Sequence, residues 1–277
     1  MQVLSNDRLI KQRSTWGGRL MLGGFGLVIA SLPLTFLNPT DPTSMMLAYA
    51  LLFGGFIVVN IGGGISSKWR VRPRPDEALA KSLKGLDNKH RLYNYILPAE
   101  HVLLTPTGIT VFQVRRIAGV ISCVGDKWTH KRSILRRLSL GADEQVGEPT
   151  HDAQRDLEAI GSFLAKNGKA GNIPLDALVL FSNPLAQLTV TDPSVPVLTG
   201  ANAKPYMRQR AAKGPKLDMD AWNTLADLLD DATEELGLSL EGEEAPADSD
   251  APARSAGASK GKKVETTPAG KAGKGKK

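Results

Sequence analysis

Cysteine is almost absent from this 277-residue chain, which contains only Cys123. A single thiol excludes an intrachain disulfide and fits a reducing compartment. None of the four histidines combines with Cys123 at a zinc-ligand spacing, which excludes a zinc site of that kind. The sequence also lacks a Walker phosphate loop, a nucleotide-binding glycine pattern and a hydrolase triad, which excludes the enzyme classes that those motifs define.

Charge is absent from two long runs near the N-terminus, residues 20–37 and 45–65. About 20 apolar residues span the hydrocarbon core of a bilayer, and a backbone in lipid must satisfy its own hydrogen bonds. We therefore expect two transmembrane helices over these runs, joined by an external loop at 38–44. A cleaved signal peptide and a buried hairpin of a soluble protein are the alternatives.

Small residues in both runs predict a close contact between the two helices. Asn60 is expected to donate a hydrogen bond across that contact. The small residues are Gly23, Gly24, Gly26 and Ala30 in the first run and Gly54, Gly55, Gly62, Gly63 and Gly64 in the second.

Basic residues flank the two runs and are missing from the loop between them. This distribution predicts a multi-pass protein of the cytoplasmic (inner) membrane with both termini in the cytoplasm. Residues 1–19 are then a cytoplasmic segment, residues 66–75 a juxtamembrane linker, and the lipid bilayer is a partner. The flanking bases are Arg8, Lys11, Arg13 and Arg19 before the first run, and Lys68, Arg70, Arg72 and Arg74 after the second.

The net charge of +7 hides three zones of different sign. Residues 1–217 carry 27 bases and 15 acids, residues 218–250 carry 12 acids and no base, and residues 254–277 carry 8 bases and one acid. Residues 211–238 read as an acidic amphipathic helix. Residues 239–277 are too poor in apolar side chains to fold, so we predict a disordered tail that is basic at its end.

Between the hairpin and the acidic helix, the patterns alternate between helix and strand. They predict helices near 76–86, 152–166 and 219–236 and strands at 101–105, 109–116, 118–124, 175–181 and 194–198. The fold class is therefore α/β (α+β) with a central mixed sheet of about four or five strands, preceded by the two-helix transmembrane hairpin.

Several short segments occur in an order that is similar to a known family. They are Glu77, LPAEHVLL at 97–104, PTGITVF at 106–112, GVI at 119–121, Trp128, Gln154, VLFSNP at 179–184 and VPV at 195–197. Over residues 76–210 this order resembles the nuclease-related domain (NERD) family, a branch of the restriction-endonuclease-like PD-(D/E)XK fold. The resemblance implies a nuclease-type site near Glu77, Glu100, Gln113, Arg115 and Gln154.

The catalytic motif of that family is degenerate here. The resemblance implies an acid followed thirteen residues later by Glu-x-Lys. Here the acid is Glu100, and the segment thirteen residues later is Gln113-Val114-Arg115. In such nucleases two carboxylates hold a divalent metal against the scissile phosphate. Gln113 is neutral, so the affinity for that metal should fall. Arg115 stays protonated, so it can bind phosphate but cannot act as a base. No cofactor is expected, with Mg²⁺ at Glu77 and Glu100 only if catalysis survives.

Each candidate residue also has an ordinary structural interpretation. Glu77 can be a helix-start residue, Glu100 a solvated turn residue, Gln154 an exposed helix residue, and Arg115 and Arg116 solvent-facing strand residues. The nucleic-acid-binding candidates are Arg115, Arg116, Lys131, Arg132, Arg136 and Arg137.

Three functions remain open at this stage. The first is a catalytically inactive, membrane-anchored module that binds DNA, RNA or a membrane or cytoplasmic protein at the cytoplasmic membrane face. The second is an active Mg²⁺-dependent nuclease with a variant site. The third is a membrane scaffold with no nucleic-acid role.

Overall fold

The computed structural model describes residues 1–37, 40–131, 145–169 and 173–238. The predicted disordered tail at 239–277 and the basic candidates Arg132, Arg136 and Arg137 lie outside the described residues.

Two long helices, α1 (Asp7–Leu37) and α2 (Pro42–Trp69), form an antiparallel pair that we call the apolar hairpin. Each helix is long and apolar enough to cross a membrane, with a mean hydropathy of 2.0. Both extend beyond the predicted runs because polar residues cap them. The Asn6 side chain accepts from the Leu9 N–H at 2.9 Å, and Asp41 accepts from the Ser44 N–H at 2.9 Å.

The contact between α1 and α2 follows a spacing of seven residues. Gly17, Gly24 and Ser31 are buried on α1, and Ala48, Gly55 and Gly62 are buried on α2. A Cβ on Gly24 would lie 2.7 Å from the Val59 backbone nitrogen, and one on Gly62 would lie 2.6 Å from that of Met21. The backbones can therefore approach this closely only because these positions lack a side chain.

Other small residues of the hairpin take no part in this contact. A Cβ on Gly23, Gly26, Gly54 or Gly64 would meet no atom within 4 Å. The expectation that Asn60 bonds across the contact is wrong. Its side chain is exposed and donates to the Phe56 carbonyl of its own helix at 2.8 Å.

A six-stranded mixed sheet forms the centre of the domain. Its order is β1-β2-β3-β4-β7-β9. Pairs β1–β2, β4–β7 and β7–β9 are parallel, while β2–β3 and β3–β4 are antiparallel. The strands are β1 (Gln2–Ser5), β2 (Arg91–Asn94), β3 (His101–Thr105), β4 (Gly108–Arg115), β7 (Leu175–Phe181) and β9 (Val197–Thr199).

A second sheet has three strands in the order β6-β5-β8. They are β5 (Gly119–Val124), β6 (Lys127–Lys131) and β8 (Ala186–Thr191). The sequence predicts β5, but the expectation of one sheet is wrong. The chain turns away from the larger sheet after Arg115, and Gly119 adopts a φ of 104°, which favours glycine.

Four helices cover the two faces of the larger sheet: α3 (Pro75–Leu83), α4 (Pro149–Lys166), α5 (Gly200–Lys213) and α6 (Met219–Glu235). Helices α4 and α6 pack on the face that carries Val111, while α3 and α5 pack on the face that carries Phe112. The fold is therefore α+β with a mixed sheet, as predicted. The sequence analysis missed β1, β2, β6, β8 and α5.

The N-terminus belongs to this domain. The sequence predicts a separate segment over residues 1–19, whereas β1 pairs with β2 and α1 already begins at Asp7. Leu4 of β1 is buried in the core with Tyr93 of β2. The chain thus leaves the sheet, forms the apolar hairpin, and returns to the same sheet.

The Gly24 contact makes a testable prediction about the hairpin. Gly24→Ala places a methyl group 2.9 Å from the Gly55 carbonyl oxygen, so the helices must separate, at a cost of about 1–3 kcal/mol. Gly23→Ala is the matched control because its methyl group meets nothing. Thermal unfolding of the full chain in detergent should show a lower midpoint for Gly24→Ala only. Equal midpoints for the two variants would contradict the described contact.

Candidate functional site

The β3–β4 pairing brings three motif residues to one face of the sheet. Val102 lies opposite Val111, and continuing that register places Glu100 opposite Gln113. Gln113 and Arg115 are two residues apart on β4, so both point to the face covered by α4. The structure therefore brings together Glu100, Gln113 and Arg115, as the resemblance implies.

Gln113 and Arg115 are held by two aspartates of α4. Gln113 is buried, and its amide nitrogen donates to an Asp156 carboxylate oxygen at 2.8 Å. Its carbonyl oxygen accepts from Arg115 at 3.0 Å, and Arg115 also donates to Asp152 at 2.6 Å. The charge of Arg115 is thus neutralised inside the domain.

Asp152 and Asp156 were not predicted as site residues. They are four residues apart and so lie on one side of α4, which was the available signal. Burial raises the pKa of Asp156, and the nearby Glu100 charge adds to that rise while the Gln113 amide opposes it. Gln154 points elsewhere, and its amide donates to Ser194 at 2.8 Å.

Glu100 is paired with a lysine from the apolar hairpin. The ammonium of Lys68, in the last turn of α2, donates to the Glu100 carboxylate. Burial alone would raise the pKa of Glu100, but the charge and hydrogen bond of Lys68, together with the charges of His101 and Arg115, hold that pKa below its usual range. Glu100 is therefore a charged carboxylate that already has a cation.

Glu77 lies away from these residues, at the start of α3. Its carboxylate accepts from the Arg74 backbone N–H at 3.0 Å and contacts the side chains of Arg74 at 3.2 Å and Arg72 at 3.4 Å. Glu77 thus satisfies a backbone N–H at the N-terminus of the helix, which is the role of a helix-start residue. The neighbouring Asp76 is buried in the first turn of α3 and binds the Arg74 guanidinium.

The residues present do not fit the divalent metal that the resemblance implies. Within the described ranges, no three His, Cys, Asp or Glu side chains are grouped to hold a metal ion. Glu77 and Glu100 are bound by different cations, and Gln113 supplies no charge. The two carboxylates that the resemblance implies, Glu77 and Glu100, therefore do not face one ion.

Arg116 points towards the end of the apolar hairpin. Its guanidinium donates to the carbonyl oxygens of Val71 and Pro73, both at 2.9 Å, and to that of Ser67. The last carbonyls of a helix lack intrahelical partners and attract cations. Arg116 thus fixes the end of α2 to the sheet and is not a free phosphate-binding group. Lys131, at the end of β6, remains exposed.

Aromatic side chains fill the remaining space at this junction. The Tyr95 ring lies 4.6 Å from that of Trp69 in α2 and 4.9 Å from that of His101. His101 is fully buried, and its Nδ1 lies 2.9 Å from the Asn94 side-chain oxygen. Burial lowers the pKa of His101 to about 4, against the opposing charges of Glu100 and Asp76.

Comparison with known proteins gives no relative: no protein-family model, curated protein or solved structure matches the chain. The similarity to the nuclease-related family therefore stays a prediction that rests on the residues named above.

The low pKa of His101 predicts acid lability. The unfolded chain binds a proton at His101 as the pH falls through about 6.5, whereas the folded chain binds it only near pH 4. Stability is therefore lost as the pH falls from about 6.5 to about 4, by at most about 3 kcal/mol.

Denaturant unfolding of the full chain in detergent, across this pH range, measures that loss. His101→Gln should be less stable at neutral pH but should show a flatter dependence on pH between about 6.5 and 4. The matched control is His151→Gln, since His151 is exposed on α4. If His101→Gln keeps the wild-type slope, His101 is not the titrating group.

Proposed function

We propose that this protein is a membrane-anchored, nuclease-like module that does not cleave and that binds nucleic acid on the cytoplasmic face. The observation that carries the proposal is the internal pairing of the motif residues: Glu100 with Lys68, Gln113 with Asp156, and Arg115 with Asp152. Positions that would assemble a catalytic centre instead hold the domain together.

The membrane part of the proposal is supported by chain path as well as hydropathy. The apolar hairpin begins directly after β1 and ends at the linker to α3, so both of its outer ends join one domain. The N-terminus and the domain then lie on the same side of a spanned bilayer. The bases that flank the hairpin favour the cytoplasmic side, because Lys and Arg are retained there.

The absence of catalysis follows from the chemistry of the three positions. Hydrolysis of a phosphodiester needs charge stabilisation next to the scissile phosphate and a positioned water. Gln113 is neutral, and both its amide nitrogen and its amide oxygen already form hydrogen bonds within the domain. Arg115 remains protonated and is held by Asp152, so it neither activates water nor reaches a phosphate without breaking that pair.

Nucleic acid is the proposed partner because the body of the protein is strongly basic. Residues 1–217 carry twelve more bases than acids. Excess positive charge attracts a polyanion over long distances and gives binding that depends strongly on salt. Arg115 is paired with Asp152, and Arg116 donates to backbone carbonyls at the end of the hairpin. The contacts with nucleic acid must therefore be made elsewhere on the surface.

The test is fluorescence anisotropy of labelled DNA and RNA oligonucleotides with the full chain in nanodiscs of zwitterionic lipid. The full chain is required because β1 precedes the hairpin. Affinity should fall by about tenfold or more between about 50 and about 200 mM salt, and Mg²⁺ should not promote cleavage.

Two other outcomes would overturn the proposal in different ways. Mg²⁺-dependent loss of the oligonucleotide that disappears in Glu100→Gln would show an active nuclease with a variant site. Failure to bind any oligonucleotide at low salt would remove the nucleic-acid role and favour a membrane scaffold.

A further inference from the structure

A cleft at the opposite end of β1 and β2 from the hairpin junction has features of a phosphate site. Its volume is about 450 Å³. One wall is the loop between α3 and β2, at residues 85–87 and His90, and the other is the C-terminal half of α5, at Arg208, Ala211 and Ala212. None of these residues belongs to the degenerate nuclease motif.

Two cations lie at this cleft, Arg208 in its wall and Lys204 beside Gly85. Arg208 is exposed and donates one guanidinium N–H to the Gly85 carbonyl at 2.9 Å, which leaves its other donors available. The Lys204 ammonium lies 2.8 Å from the position that a Cβ would take on Gly85.

The charge of these cations is not cancelled within the described ranges of the chain. Neither Arg208 nor Lys204 forms an ion pair there, in contrast to Arg115, which is paired with Asp152. Among the described residues of the cleft wall, Asp87 is the only acid, and its carboxylate lies 2.5 Å from Nδ1 of His90. The cleft therefore has an excess of positive charge.

His90 adds an unused hydrogen-bonding group. Its side chain is buried with 3% exposure, and its Nε2 has no hydrogen-bond partner among the described residues. Buried polar atoms are nearly always paired, so an exception needs an explanation. Because His90 lines the cleft, a ligand there would lie against a residue whose hydrogen-bonding capacity is not fully used within the described residues.

The position of the cleft separates it from the bilayer. Strands β1 and β2 run in parallel from Gln2 and Arg91 to Ser5 and Asn94, where the chain meets Trp69 through Tyr95. A four-residue strand spans about 13 Å at the usual rise per residue. The cleft lies at the start of these strands, away from the end of α2, so a lipid headgroup is a poor fit.

We propose that this cleft binds a backbone phosphate of nucleic acid through Arg208 and Lys204. The inference rests on the proposed function and locates its binding surface. Phosphate oxygens accept from guanidinium and ammonium donors without regard to base sequence. The cleft therefore contributes affinity and salt dependence, not sequence specificity.

The test compares two double variants of the full chain in zwitterionic nanodiscs by anisotropy with labelled DNA. Lys204→Gln with Arg208→Gln removes two charges at the cleft. Lys166→Gln with Lys213→Gln removes two exposed charges that do not line it. The cleft variant should weaken binding about tenfold and reduce the salt slope by about 2, whereas the control should change the slope little.

A further variant, Arg208→Lys, keeps the charge and should retain most of the salt slope. Thermal midpoints equal to wild type establish that each variant is folded. Equal losses of DNA affinity in the two double variants would contradict the proposal that the cleft binds phosphate, while the proposal that the protein binds nucleic acid would stand. Absence of binding by the wild-type chain would overturn both proposals.

Discussion

The fixation of the apolar hairpin to the sheet is the constraint on which the rest of the structure depends. Three backbone carbonyls at the end of α2 and in the linker accept from one side chain, Arg116. On the other side of the hairpin, β1 hydrogen-bonds to β2 before α1 begins. Because both ends are fixed, the last turn of α2 must lie against the start of β3. That placement brings Lys68 to Glu100 and Trp69 to Tyr95.

The same placement gives the Glu100 carboxylate a counter-charge from within the chain. A carboxylate beside the sheet needs a counter-charge, which a metal ion or a basic side chain can supply. Lys68 supplies it here, and the neighbouring amide and guanidinium are bonded to Asp156 and Asp152. The Glu100 carboxylate, the Gln113 amide and the Arg115 guanidinium thus each have a partner within the chain.

Local patterns predicted the elements with strong periodicity but not the long-range pairings. The apolar runs, the β3–β4 hairpin and the buried strand β7 are confirmed because length, turn residues and hydrophobic pattern agree in each. Strand β1 has four residues, and its partner lies almost 90 residues away, so no local signal marks it. In the site, Glu100, Gln113 and Arg115 were named because the family resemblance implies them. Their partners Lys68, Asp152 and Asp156 depend on tertiary packing, which the spacing does not encode.

The central claim is that the motif residues are paired with other side chains of the same chain and do not bind a metal ion. A Mn²⁺ titration of the full chain in zwitterionic nanodiscs, followed by electron paramagnetic resonance, tests this claim most directly. The account predicts that the wild-type chain and Glu100→Gln give the same signal of free Mn²⁺. Binding of about one Mn²⁺ per wild-type chain that is lost in Glu100→Gln would contradict it, because Glu100 would then be a metal ligand with Lys68 displaced.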